Sequence, residues 1–136
     1  MSQLVLRYDF DAADGWLDVA VTSAKFSGQG GFWVREQDVR EFGERLSTYP
    51  IRPEAPLTAA WGYEMLEGDD LVVGVEIVPA NPRGDLLVRV ELADHIEPTE
   101  RVRASFLTNY PELDRFRTAI ASLMERTTDE AVLSGR

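Results

Sequence analysis

The chain of 136 residues contains no cysteine. That removes disulfides, thiolate nucleophiles and zinc–sulfur sites together, and it fits a reducing compartment. Lysine is nearly absent as well, because thirteen of the fourteen cations are arginine and Lys25 is the exception. Histidine occurs once, at His95. No apolar run approaches the ~20 residues that a membrane helix needs. The opening MSQLVLRYDFDAADGW has no basic stretch followed by a long apolar core. A signal peptide is therefore not expected, and a cytoplasmic location is.

Acidic residues are plentiful. Twenty-four Asp and Glu against fourteen Lys and Arg leave a formal net charge of −10. Such a chain repels nucleic acid and anionic membranes at long range, unless its few cations are gathered on one face, and it attracts a basic partner. Hydrophobic residues make up 44% and charged residues 28%, the balance of a globular protein with a true core. The length fits one domain.

Apolar residues alternate in seven short runs, which predict strands. The first three span 4–10, 16–23 and 26–34, with Leu17, Val19 and Val21 on one face of the second. The period then changes. Val39, Phe42 and Leu46 lie at helical spacing, and Glu36 and Asp38 suit the positive end of a helix dipole. Tyr49-Pro50-Ile51-Arg52-Pro53 cannot continue that helix. Four further strands are expected over 57–63, 71–79, 85–94 and 101–108. Parity predicts the pairs Val75–Val88 and Val90–Ala104, the second of which sets Glu91 opposite Arg103. A closing helix starts at Asn109, a good cap, with Pro111 in its first turn and Glu112 three residues on. Leu113, Phe116, Ile120, Leu123 and Met124 form its apolar stripe.

These elements predict an α+β domain over 1–126 in the order βββ-α-ββββ-α. One antiparallel sheet of about six to seven strands would carry both helices on one face. Residues 127–136 have little periodicity and read as a flexible tail, although Ala131-Val132-Leu133 has the composition to dock.

Catalytic and metal chemistry finds little to stand on. His95 lies in a turn with no nucleophile beside it in sequence, and no Gly-x-Ser-x-Gly elbow occurs. Glu64, Glu67, Asp69 and Asp70 are dense but lack the alternate spacing and closing Glu of a calcium loop. The glycines of Ser27-Gly28-Gln29-Gly30-Gly31 precede the extended run Phe32-Trp33-Val34, whereas a phosphate loop delivers its N–H groups at a helix N-terminus. A bulge or a close backbone approach is the reading they favour. No cofactor and no enzymatic activity are expected. The aromatic residues Trp16, Trp33, Tyr49, Trp61 and Tyr63 suit a sheet–helix interface, and Trp33, out of phase with its neighbours, suits a surface.

Gly15-Trp16-Leu17-Asp18-Val19-Ala20-Val21, then Phe26-Ser27-Gly28, then the acidic helix Asp38-Val39-Arg40-Glu41-Phe42, and finally Asn109-Tyr110-Pro111-Glu112-Leu113, together resemble the WapI-type immunity proteins of bacterial contact-dependent toxin systems. The likeness runs over about residues 15–125. It departs in the proline-rich link after the first helix and in Phe32-Trp33-Val34. Its motifs are core and turn residues, so no binding residue carries over. The resemblance implies a small cytoplasmic protein that neutralises a cognate toxin by binding it, and the acidic surface suits a basic toxin domain. Trp33, Trp61, Tyr63, Glu64, Glu67, Asp69 and Asp70 are the expected partner-binding residues. The competing expectation is a small-ligand or regulatory module with a pocket between sheet and helices, lined by Trp33, Trp61 and Tyr63.

Overall fold

The computed structural model describes residues 1–12 and 14–136. In it the alternating runs become β1 (Ser2–Asp11), β2 (Asp14–Thr22), β3 (Ser27–Trp33), β4 (Leu57–Gly62), β5 (Leu71–Pro79), β6 (Asp85–Ala93) and β7 (Arg101–Asn109). The two helical stripes become α1 (Glu36–Arg45), between β3 and β4, and α2 (Tyr110–Met124), after β7. An eighth strand, β8 (Ala131–Gly135), follows.

The expected single sheet is instead two antiparallel sheets of four strands, ordered β3-β2-β1-β8 and β4-β5-β6-β7. Alternation reports which face of a strand is buried, not which strand lies beside it. The break falls where α1 and residues 46–56 carry the chain away from β3, so that β4 opens a new sheet.

The residues expected to form a loose tail hold β8. It pairs antiparallel with β1, Leu4 facing Leu133 and Leu6 facing Ala131, and those four side chains are fully buried. Beyond β8 the Arg136 amide donates to the Leu107 carbonyl at 2.8 Å, and the Leu107 amide donates back at 3.0 Å. The buried Thr108 hydroxyl donates to the Ser134 carbonyl at 2.7 Å. β8 therefore ties the first sheet to the edge of the second.

Within the second sheet Val90 faces Ala104 and Glu91 faces Arg103, as parity predicts. Val75 faces Val90 and not Val88, a slip of two residues from the expected register. The loop is longer than a tight turn: Ala80 donates to Asp85 at 2.8 Å, and Asn81 Oδ1 accepts the Arg83 amide at 2.8 Å. A slip of two leaves every side chain on its correct face, which is why parity survives it.

Inward residues of both sheets and both helices form one core. Asn109 caps α2, its Oδ1 accepting the Glu112 amide at 2.9 Å. Phe116 and Phe42 meet edge to face at 6.4 Å, both fully buried. The helices cross closely at Gly43, where a Cβ would sit 2.8 Å from Ile120 Cγ2. The glycines of β3 serve a similar end. A Cβ at Gly28 would strike Val102, and one at Gly30 would lie 2.8 Å from the Ala93 carbonyl oxygen. They let β3 approach the second sheet closely, the role their position in a strand suggests.

Tyr8 closes the core beside β3. Its hydroxyl donates to the Val34 carbonyl at 2.5 Å. Burial, followed by the charges of Glu36, Asp14 and Asp38, pushes its pKa up to about 12.

Candidate binding surface

Two loops meet at one end of the molecule. The β4–β5 loop is shaped by Asp70, whose carboxylate accepts the Met65 amide at 3.1 Å and whose carbonyl accepts the Tyr63 amide at 2.8 Å. Asp70 is thereby turned into the loop and half-buried, while Glu64, Glu67 and Asp69 are exposed. Of the four carboxylates expected to meet a partner, Asp70 is committed to the scaffold and the other three are available.

The β6–β7 loop is held in the same manner. Asp94 Oδ2 accepts the Ile96 and Glu97 amides at 3.1 and 2.8 Å. The loops are joined by Tyr63, whose hydroxyl donates to the His95 carbonyl at 2.8 Å. The His95 ring stands edge to face with Trp16 at 4.9 Å, and Trp16 with Trp33 at 5.2 Å. Gly31 makes room for this stack, since a Cβ there would come within 2.6 Å of Trp16 Nε1. Phe32 packs on Tyr63 at 5.2 Å. The lone histidine is therefore a half-buried packing partner.

The surface that results is apolar within an acidic margin. Trp33 is 56% exposed and Ile96 79%, and Tyr63, Met65 and Leu66 are exposed beside the joined loops. Residues 63–70 carry four carboxylates and residues 94–100 carry three, and neither stretch holds a Lys or Arg. Trp33 and Tyr63 are both exposed at this end. Trp61 is not presented in the same way: its ring lies edge to face against Phe42 at 5.9 Å, half-buried on the core. The β-bulge between Trp61 and Gly62, opposite Leu71–Val73, shifts the side-chain alternation at this point. Among the described residues no group of three or more His, Asp or Glu is placed to hold a metal ion.

The space between the sheets and the helices is filled by Phe42, Phe116, Ile120 and their neighbours, whereas Trp33 and Tyr63, expected with Trp61 to line a pocket there, are exposed. A concavity of about 730 Å³ lies elsewhere, lined by residues of all four strands of the second sheet, Leu66, and the β2–β3 loop from Ser23 to Phe26. Its exposed and half-buried side chains belong to the face of that sheet turned away from the core, a set with no counterpart among the expected site residues. Glu91 and Arg103 of that set were expected opposite each other, as they are. The small floor residues Ala60 and Gly74 gave no signal in the sequence.

No helix among the described residues is long and apolar enough to cross a membrane. No family model and no curated protein matches the chain.

Proposed function

We propose that this chain is a non-enzymatic binding domain whose apolar, acid-rimmed end grips a basic protein surface. The observation that carries the reading is the joining of two cation-free loops, with seven carboxylates between them, around exposed Trp33, Tyr63, Met65 and Ile96. Apolar patches with polar rims mark protein interaction sites, and aromatic residues with Met are enriched at their centres. The net charge of −10 steers a cationic partner toward the domain. The resemblance to WapI-type immunity proteins suggests the partner's class, a bacterial toxin domain with a basic surface, neutralised by being bound. A non-catalytic role also suits His95, the chain's only imidazole, whose ring is engaged with Trp16.

The test is a capture experiment with the whole chain as bait, followed by surface-plasmon kinetics against the basic protein retrieved. Glu64→Lys, Glu67→Lys and Asp69→Lys combined should slow association most at low salt, because these charges act over a Debye length of ~8 Å at physiological strength. Tyr63→Ala should instead speed dissociation. If the triple variant associates with the same protein at the wild-type rate at low salt, the acidic end is not the contact and the proposal fails.

A further inference from the structure

The outward face of the second sheet carries a separate feature. Register sets two rows of side chains across its four strands. One runs Thr58, Glu76, Arg89, Ser105, and the other runs Ala60, Gly74, Glu91, Arg103. All eight line the 730 Å³ concavity. Strands lie ~4.8 Å apart, so four of them make a floor about 14 Å across.

That floor is unequal from one side to the other. Where the second row crosses β4 and β5 it is small and apolar, whereas the first row there carries Thr58 and Glu76. Ala60 and Gly74 present almost no side chain, and Leu71 lies over Gly74, where an added Cβ would meet its Cδ2 at 3.2 Å. Leu66 and Phe26 add apolar walls, Phe26 being 62% exposed on a turn closed by Ser23. Over β6 and β7 the floor is charged. Arg89 is paired with Glu76 at 2.8 Å. Arg101 and Arg103 share a single oxygen of Glu91, at 2.7 and 3.3 Å. Arg101 is largely buried, and its Nη2 has no hydrogen-bond partner in the protein. Arg103 remains 76% exposed in its side chain, and Lys25 overlooks the same groove with no ion pair among the described residues.

Three cations, Lys25, Arg89 and Arg103, line the groove against two carboxylates, Glu76 and Glu91, in a protein whose net charge is −10. Arg89 and Arg103 stand on β6 and β7, across the floor from Ala60 and Gly74 on β4 and β5. Cavities of about 300–1,000 Å³ lined by apolar groups with a few placed charges are the usual form of small-molecule sites. We propose that this groove binds a free amphipathic carboxylate. The anionic head sits at Arg103 and Arg89 over β6–β7, and the apolar body lies over Ala60, Gly74 and Leu71. The source is a free molecule, since a concavity of about 730 Å³ has the size of a single small-molecule site. The groove shares Leu66 with the acid-rimmed end, but its proposed contacts at Arg103, Arg89, Ala60 and Gly74 lie outside that end, and the two proposals stand or fall separately.

The probe is laurate, titrated calorimetrically into the whole protein below its micelle-forming concentration. Dodecyltrimethylammonium, with the same tail and a cationic head, is the control. Laurate should bind one to one, at least tenfold more tightly than the cation, roughly 1.4 kcal/mol by conversion. Arg103→Glu should weaken laurate at least tenfold by reversing the head contact, and Ala60→Glu should do so by placing a charge under the tail. Both positions are exposed, so the fold should survive, and circular dichroism will verify it. The proposal is overturned if laurate does not bind by about 1 mM, or if the two amphiphiles bind alike. It is equally overturned if both folded variants keep wild-type affinity.

Discussion

Gly30 faces Ala93 across the gap between the two sheets, so closely that one added carbon would lie 2.8 Å from the Ala93 carbonyl oxygen. The obstacle is backbone and cannot swing aside. Gly30→Ala is therefore expected to force β3 away from the second sheet at a cost of about 1–3 kcal/mol, the usual range for overpacking. Urea denaturation would measure it, and an unchanged midpoint would mean that the sheets are not pressed together at this point.

Phe116 lies at the centre of the α2 stripe, fully buried against Phe42. Phe116→Ala should cost about 3–5 kcal/mol, the transfer and cavity terms together. A loss under about 1 kcal/mol would contradict the packing of α2 described above.

Tyr8 links stability to alkaline pH. Its folded pKa, about 12, lies above the ordinary value near 10. A raised pKa means that the folded state holds the proton more tightly than the unfolded one. Its contribution is complete below pH ~10 and is lost as pH rises from there through the folded value. Tyr8→Phe should flatten the fall in stability over that window. At neutral pH it should cost about 1–3 kcal/mol, because the Val34 carbonyl loses its buried donor. Chemical denaturation at several pH values would check both effects.

His95→Ala removes the ring that stands against Trp16, a contact worth about 0.5–1.5 kcal/mol. A small loss of stability and a change in tryptophan emission are expected together. Binding of a partner at the acidic end should change by no more than the neighbouring Trp33 and Tyr63 are displaced.

Removal of residues 129–136 should unfold the domain or cost well over about 3 kcal/mol, since Ala131 and Leu133 leave the core and β1 loses its outer partner. A thermal melt of the shortened chain, compared with the whole one, settles the point.

Local pattern carried the strands and helices. The alternation of Val88, Val90 and Leu92 placed their face correctly, and Asn109 marked the start of α2 by its capping chemistry. The division into two sheets lay beyond such signals, because β1 finds its second neighbour more than a hundred residues away. β8 escaped because five residues with a serine and a glycine barely alternate. The acidic end was visible in composition, since Glu64, Glu67, Asp69 and Asp70 are adjacent in sequence. That Asp70 serves the loop, that Trp61 packs on Phe42, and that His95 stands against Trp16 are tertiary facts. Residues so distant in sequence leave no periodic trace.

The pairing of Ser2 with Gly135 also bears on how quickly the protein folds. Nearly the whole chain must be closed into a loop before β1 and β8 gain anything from each other, and that entropy is spent ahead of the reward. Contacts of this separation should form after the main barrier is crossed. Leu133→Ala should then leave the refolding rate nearly unchanged and act almost wholly by accelerating unfolding. The strand that joins the sheets would thus govern how long the native state persists once formed, and have little say in how fast it is reached.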